Sequence, residues 1–193
     1  MIYIFCAFEA EARAVIDAYG LKKKIADPWT IFASKEIELV ISGMGQENAK
    51  KAAQYLLSTY TIKEKDLLLN IGICAAQDDY TIGELLEIEH LHHGNKAFHL
   101  RPQPSTIKKV SCFSVNKAQS RHLATDIAEM EAFGLYETLK DHFQPYKISF
   151  LKIVSDNFQP FIPKKSFVIG LIQAHIKEIK KHIEHLQGDN DAT

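Results

Sequence analysis

One apolar run constrains the fold of this chain more than any other segment. Residues 66–76 read DLLLNIGICAA, and after the first position only Asn70 interrupts the apolar character. A strand with one face in solvent alternates apolar and polar residues, whereas a strand covered on both faces is apolar almost throughout. The run therefore predicts a central strand of a sheet that has helices on both sides.

Segments with strand and helix patterns alternate around this run. Strands are predicted at residues 2–7, 30–34, 37–42, 66–76, 83–91, 108–115 and 146–156, and helices at residues 9–20, around 49–60, at 129–141 and at 165–187. Such alternation is typical of an α/β fold with short crossovers between parallel strands. We expect a single-domain, three-layer α/β/α structure with a mixed, largely parallel central sheet. The domain is predicted to span residues 1–187, followed by a flexible tail at 188–193.

Composition argues against several classes of partner. The 193 residues carry a formal net charge of −1, which gives no electrostatic reason to expect a nucleic acid or an anionic membrane. No apolar run approaches membrane-spanning length, and the N-terminus lacks the basic start and cleavage site of a secretory signal. The three widely spaced cysteines, Cys6, Cys74 and Cys112, are typical of buried thiols in a reducing compartment. We therefore predict a cytoplasmic protein.

Acidic residues follow three of the predicted strands. Glu11 comes after the first strand, Glu129 and Glu131 stand at the predicted start of a helix, and Asp156 ends the last strand. In open α/β sheets, ligands bind beyond the carboxyl ends of the strands. Each acid alone could serve a helix dipole or a turn. Together they favour a ligand that uses them, because carboxylates that converge without one repel each other.

Two other features carry weaker signals. The Gly-Met-Gly at residues 43–45 lacks the third glycine of a dinucleotide fingerprint and the Lys-Ser/Thr of a P-loop, so a tight turn before a helix is the favoured interpretation. Four histidines, His90, His92, His93 and His99, are interpreted as loop residues beside the pocket. No carboxylate or cysteine stands at a recognised ligand interval beside them, so no metal site is predicted.

Five motifs together resemble those of one enzyme superfamily. In chain order they are CAFEAEA, SGMGQENAKKAA, LNIGICAA…IGELLEIE, AEMEAFGLY and IVSDN. With them the chain resembles the nucleoside phosphorylase/nucleosidase superfamily, most closely the 5′-methylthioadenosine/S-adenosylhomocysteine nucleosidases and futalosine hydrolases. The resemblance implies a homodimer without a cofactor that cleaves the N-glycosidic bond between ribose and a purine.

The resemblance also implies a role for individual residues. Glu11 positions and deprotonates the attacking water, and Asp156 is the general acid that protonates the purine's imidazole-ring nitrogen. Ser155 helps to hold that aspartate. Glu131 accepts hydrogen bonds from the ribose hydroxyls, and Met130 packs on the sugar.

Three further positions are predicted to contact the substrate, and two of them depart from the family pattern. Glu129 completes the acid–thioether–acid triplet and can also serve the start of the helix. Ile73 stands where the family has a serine, and Phe113 belongs to SCFSVN, where the family has S-G-D-x-F. The region around residues 95–125 is also shorter than in typical members. The base and the 5′ substituent of the substrate are therefore left open.

The residue types suit hydrolysis of a nucleoside. Breaking a glycosidic bond builds an oxocarbenium-like sugar that carboxylates stabilise, and the base leaves more easily when an acid of raised pKa protonates it. A phosphorylase needs a cationic phosphate site, which Glu11 opposes, although Arg101 could still bind an anion; the other arginines are Arg13 and Arg121. The predicted function is purine-nucleoside N-glycosidase. A nucleoside phosphorylase and a non-catalytic nucleoside-binding relative are the alternatives.

Overall fold

The computed structural model describes residues 1–118, 123–159 and 162–188, with the side chains of residues 25 and 26 left aside. The strands are β1 (Ile2–Cys6), β2 (Lys22–Ala26), β3 (Trp29–Ala33), β4 (Ile37–Ile41), β5 (Leu67–Ala76), β6 (Leu85–His93), β7 (Lys96–His99), β8 (Lys108–Ser114), β9 (Ile127–Glu129) and β10 (Ile148–Asp156). The helices are α1 (Glu9–Tyr19), α2 (Gln46–Thr59), α3 (Ala132–Leu139), α4 (Lys165–Ala174) and α5 (Ile176–Gly188). Of the predicted tail, Gly188 ends α5 and residues 189–193 lie outside the described ranges.

Every predicted strand and helix is present. Three further strands were not predicted, and two helices differ from the prediction in their bounds. β2 is a lysine-rich strand at the edge of the sheet, β7 has four residues and β9 has three, so none shows a long apolar pattern. The helix predicted at 165–187 is interrupted at His175, which separates α4 from α5. The helix predicted from residue 129 begins at Ala132, because residues 127–129 pair with β5 and β8 instead.

The sheet is mixed, and its central strands are parallel. β1 lies between β4 and β5 and pairs with both in parallel, and β10 pairs in parallel with β5. β5 is ten residues long, so its first residues pair with β1 while its last two pair with β9. The order β5–β10–β6–β8–β9 returns to β5, and the sheet therefore closes on itself along one side.

Two hydrophobic layers cover the sheet. Buried side chains of α2 and α3 pack on one face against β1, β5 and β10, and those of α1, α4 and α5 pack on the other. This is the three-layer arrangement predicted from the apolar run of β5. Cys6, Cys74 and Cys112 are buried free thiols, as predicted. Among the described helices, none has both the length and the apolar character that crossing a bilayer requires.

The contact between α2 and α3 depends on a glycine. A Cβ atom at Gly134 would lie 2.4 Å from the carbonyl oxygen of Gln46, so a larger residue would push the two helices apart. Gly43 and Gly45 adopt φ values of 80° and 93°, which favour glycine, and α2 starts at the next residue, as predicted for a tight turn. The close approach brings Glu131, the residue before α3, against this turn.

Candidate active site

A cavity of about 650 Å³ opens beyond the carboxyl ends of β1, β5 and β10. The three carboxylates predicted to converge, Glu11, Glu131 and Asp156, all line it. Residues lining the cavity also include Ile73, Glu129, Met130 and Ser155 from the predicted set, together with Phe8, Arg13, Met44, Cys74, Gln159 and Ile162. Six separate segments of the sequence thus contribute to the described lining.

Glu11 is fixed by backbone amides at the first turn of α1. Its Oε2 accepts hydrogen bonds from Ala7 N (2.9 Å) and Phe8 N (3.0 Å), and its Oε1 accepts one from Ile73 N (3.0 Å). A carboxylate offers about four acceptor positions, so one remains on Oε1 beside the cavity. Burial raises the pKa of Glu11 above its ordinary value, although Lys152 and the three amides oppose the increase.

Glu129 is saturated by contacts within the protein. Its Oε2 lies 2.8 Å from the Nζ of Lys152 and accepts hydrogen bonds from Glu131 N (2.9 Å) and Ala132 N (2.8 Å). Its Oε1 accepts a hydrogen bond from Ser114 Oγ (2.5 Å). Burial acts to raise the pKa of Glu129, but Lys152 and these donors outweigh it and hold the pKa below its ordinary value. Glu129 thus positions the start of α3, and it also lines the cavity, so its contact with substrate stays a prediction.

Lys152 is the functional residue that the sequence analysis missed. It lies in β10, its side chain is 1% exposed, and it places a positive charge among Glu11, Glu129 and Glu131. Burial alone would lower the pKa of Lys152, but these carboxylates hold it above its ordinary value. A signal was present, because a lysine inside the buried run ISFLKIVSD needs an anionic partner.

Glu131 has a free acceptor facing the cavity. Its Oε1 accepts a hydrogen bond from Gly45 N at 2.8 Å, which is the contact that the turn at residues 43–45 provides. Burial raises the pKa of Glu131 to about 7; Lys152 opposes the increase and the nearby Glu129 and Glu11 add to it. The carboxyl group therefore changes its charge near neutral pH.

A bulge in β10 orients Asp156. Val154 pairs with Cys74 and Asp156 pairs with Ala75, so Ser155 is an extra residue on its strand, and bulges of this kind redirect side chains. Ser155 Oγ lies 3.0 Å from Cys74 O and 2.8 Å from Asp156 Oδ2, and its single hydrogen can serve one acceptor at a time. Asp156 Oδ1 accepts a hydrogen bond from Gln159 N (3.1 Å), so both oxygens of the carboxyl group are held in place. Asp156 is half-buried, not fully buried as its place in a buried strand suggested.

The remaining predicted site residues do not all line the cavity. Ile73 contributes its amide to Glu11 and its side chain to the cavity wall. Met130 also lines the wall and packs on a small cluster with Val115, whereas Phe113 packs on that cluster and is not part of the described lining. The histidines predicted for loops lie on strands instead: β6 carries His90, His92 and His93, and β7 carries His99. They are likewise not part of the described lining.

Arg101, the arginine considered for anion binding, does not line the cavity either. Arg13 does, and it forms an ion pair with Glu9. Arg121 lies outside the described residues. Within the described lining, therefore, the only arginine has an acidic partner.

The cavity mouth is apolar. Phe8, Met44 and Ile162 line it with exposed fractions of 47%, 54% and 94%. Exposed apolar side chains that cluster around a pocket indicate contact with a ligand or another protein surface. The site thus combines an acidic floor, where a positive charge can be stabilised, with an apolar entrance.

Sequence comparisons and structural comparisons give different results. No family model matches the chain, and no curated protein matches it by sequence. Solved structures match over almost the whole chain. The Helicobacter pylori 5′-methylthioadenosine/S-adenosylhomocysteine nucleosidase with butyl-thio-DADMe-Immucillin-A has a TM-score of 0.77 at 14% identity. The alignment covers 95% of this chain and 97% of that chain. Futalosine hydrolase from the same organism gives the same four values. The Arabidopsis thaliana 5′-methylthioadenosine nucleosidase has a TM-score of 0.74 at 13% identity, with 97% and 96% covered.

At these low identities, the TM-scores show that the folds are similar. The matches include both kinds of hydrolase that the sequence motifs resemble, and the chain spans nearly their full length. The chain therefore has the fold of the 5′-methylthioadenosine/S-adenosylhomocysteine nucleosidases and of futalosine hydrolase.

Proposed function

We propose that this protein is a purine-nucleoside N-glycosidase that uses water to cleave the ribose–base bond. The observation that carries the proposal is the meeting of Glu11, Glu131 and Asp156 around one cavity, with Met130 in the same wall. Carboxylates on different sides of a bound nucleoside can serve the water, the sugar and the base separately. Each role can be derived from the contacts of the residue concerned.

Glu131 and Met130 form the sugar subsite. One oxygen of Glu131 is held by Gly45, so its other oxygen can accept hydrogen bonds from the ribose diol. Met130 lies beside it and offers its thioether to the apolar face of the ring. The negative charge of Glu131 also stabilises the positive charge that develops on the sugar.

Glu11 holds the attacking water. Three of its acceptor positions are occupied by amides, so a water molecule binds to the fourth, on Oε1 beside Ile73. Burial raises the pKa of Glu11 and so increases its basicity towards that water. Lys152 and the three amides oppose that increase and so favour the ionised carboxylate.

Asp156 protonates the departing base. Ser155 Oγ and Gln159 N hold the two carboxyl oxygens of Asp156 at the cavity wall, so the acid proton of this group is delivered from a fixed position. Transfer of that proton to a purine ring nitrogen makes the base a better leaving group. The aspartate returns to its acid form by taking a proton from solvent, and Glu11 releases to solvent the proton that it took from the attacking water.

The apolar mouth formed by Phe8, Met44 and Ile162 favours a substrate with an apolar 5′ substituent. The 5′-alkylthio group of a methylthioadenosine-like nucleoside has this character. A second copy of the chain in a homodimer would cover the remaining apolar surface, and we propose a cytoplasmic dimer. A phosphorylase that takes phosphate in place of water is the alternative, although Arg13 at the same mouth is already paired with Glu9.

An assay of base release separates these candidates. The enzyme is incubated with methylthioadenosine, adenosylhomocysteine, futalosine and inosine, with and without phosphate, and free base and sugar products are quantified. We expect base release without phosphate and free sugar as the product in both conditions. Release only with phosphate, with a sugar 1-phosphate as product, would identify a phosphorylase. Tight binding detected by thermal shift with no release from any compound would identify a binding protein.

Gly72 provides a structural test of the Glu11 assignment. A Cβ at Gly72 would lie 2.9 Å from Glu11 Oε1, so Gly72→Ala displaces the carboxylate from its amide donors. A shift of about 1 Å in a reacting group costs about a hundredfold in rate. We expect that loss in kcat, measured by base release, and an unchanged fold by circular dichroism. Gly170→Ala in α4 is the control, since nothing lies within 4 Å of its Cβ position and its backbone is helical. Wild-type kcat in Gly72→Ala would contradict a role for Glu11.

We expect the ionised carboxylate of Glu131 to bind the sugar but to lower the stability of the folded protein. Its pKa in the folded protein is about 7, above the value of about 4.3 for an unfolded chain, so folding loses stability as pH rises from about 4 to about 7. Glu131→Gln keeps an acceptor for Gly45 N and removes this cost. We expect the variant to have a higher Tm than the wild type at pH 8, with the difference vanishing near pH 4.

The same variant tests sugar binding. Glu131→Gln should raise KM for the nucleoside, and in the wild type KM should rise as pH falls below about 7 because the carboxylate becomes neutral. Thermal melts and initial rates from pH 4 to pH 8 provide both measurements. An unchanged KM together with an unchanged Tm profile would show that Glu131 does not bind the sugar.

A further inference from the structure

The hairpin of β6 and β7 brings together three side chains that the nucleosidase site does not use. His90 and His99 are paired residues in the antiparallel register of the two strands. Their rings stack with centroids 4.6 Å apart and an interplanar angle of 21°. The carboxylate of Glu89 lies beside them, with its Oε2 3.6 Å from His90 Nε2.

A bulge at Glu89 creates this arrangement. In the pairing of β6 with β8, Ile88 pairs with Val110 and His90 pairs with Ser111, so Glu89 is the extra residue. Ile88 and Leu91 are three positions apart, yet both are buried in the same hydrophobic cluster. The two residues between them, Glu89 and His90, therefore both leave that face, whereas a regular strand would send them to opposite sides.

We propose that Glu89, His90 and His99 bind a divalent transition-metal ion of the zinc class. One ligand atom from each residue can be chosen such that all three lie within 4.8 Å of one another. Metal–ligand distances of about 2.0–2.2 Å in a tetrahedral site correspond to ligand separations of about 3.4 Å, so the side chains must approach each other only modestly. All three are at least partly exposed, and water supplies the fourth ligand.

The ligand types select the metal. Imidazole nitrogen suits Zn²⁺, Cu²⁺ and Ni²⁺, whereas Mg²⁺ and Ca²⁺ prefer sites built entirely from oxygen. The backbone beneath the site is already ordered, because Leu100 N donates to Glu89 O at 2.8 Å and fixes the strands on which the ligands stand. Binding therefore needs side-chain rotation only, and it joins β6 to β7 through their side chains.

The sequence rules for metal sites do not detect this one. They search for ligands at short intervals along one segment, whereas His99 reaches the others across a hairpin. The carboxylate comes from Glu89, the residue adjacent to His90. In a regular strand, adjacent side chains point to opposite faces and cannot bind the same ion. The proposed site therefore differs from the expectation of no metal site, which was based on ligand spacing along the sequence.

Metal titration of the intact chain tests the proposal. Protein without a polyhistidine tag is freed of metal with a chelator and titrated with Zn²⁺ by calorimetry and with Co²⁺ by visible absorption. We expect one ion per chain, a rise in Tm with added Zn²⁺ because the ion binds the folded state, and slower hydrogen exchange in residues 96–99. Glu89→Gln, His90→Ala and His99→Ala should each weaken binding by at least about tenfold.

A matched histidine variant completes the experiment. His185→Ala removes an exposed histidine from α5 that is not one of the three cluster residues, and it should bind Zn²⁺ as the wild type does. Because the three ligand side chains are partly exposed, their variants should retain the wild-type Tm in the presence of chelator. A wild-type protein that binds no ion, or cluster variants that bind as tightly as His185→Ala, would overturn the proposal.

Discussion

Replacing Asp156 with asparagine is expected to reduce the rate of base release by at least about a hundredfold while nucleoside affinity is retained, since general acid catalysis contributes factors of about 10²–10⁴. The amide has the same shape, and it can accept the hydrogen bond from Gln159 N and donate to Ser155 Oγ. It cannot transfer a proton to the departing base. The chemical step measured in a single turnover, together with nucleoside binding by calorimetry, gives both quantities.

The specificity of this result depends on a control and on the substrate. Asp79→Asn, an exposed position after β5, should leave rate and affinity unchanged. A substrate whose leaving group needs no protonation should also lose much less rate in Asp156→Asn than a purine nucleoside does. Wild-type rates of purine release in Asp156→Asn would show that another group is the acid.

Replacing Lys152 with methionine should be among the most destabilising changes in this protein. Removing one partner of a buried ion pair typically costs about 3–5 kcal/mol, because the remaining charge is left without compensation. Here the remaining charge is Glu129, which is fully buried and lies 2.8 Å from Lys152 Nζ. We expect a decrease of this size in the free energy of unfolding, measured by urea denaturation at pH 7.5.

The pH dependence identifies the cause of that decrease. Lys152 holds the pKa of Glu129 below its ordinary value, so this stabilisation is present above about pH 4.3 and is lost as pH falls through the lowered pKa. In Lys152→Met the buried Glu129 has lost its cation and takes up a proton more readily, so the deficit should shrink as the pH is lowered from 7.5 towards 4. The double variant Lys152→Met/Glu129→Gln should recover much of the stability at pH 7.5. A deficit that is independent of pH and of Glu129 would assign it to packing instead.

The parts of this structure that local patterns determine could be predicted from the sequence. The continuous apolar run of β5 requires cover on both faces, which implies helices on both sides and parallel neighbours. Parallel strands place their carboxyl ends along one edge, and for this reason Glu11 and Asp156, far apart in the sequence, could be expected at one site. Glu131 follows β9, which had not been predicted, but its place at the predicted start of a helix led to the same edge.

The parts that depend on pairing between strands could not be predicted. The bulges at Ser155 and Glu89 are visible only in the registers with β5 and β8, and no residue type marks them in the sequence. The closure of the sheet depends on β9, whose three residues are too few for a periodic signal. Lys152 could in principle have been identified from the sequence. Its three acidic neighbours come from other segments, however, so its role as their counter-charge is visible only in the folded protein.

A crystal structure of Asp156→Asn with 5′-methylthioadenosine bound is the most direct test of the proposed site. It should show the ribose hydroxyls on Glu131, the thioether of Met130 against the sugar, a water on Glu11 Oε1 and the purine's imidazole ring beside position 156. A nucleoside bound outside this cavity, or one whose ribose is directed away from Glu131, would contradict the account.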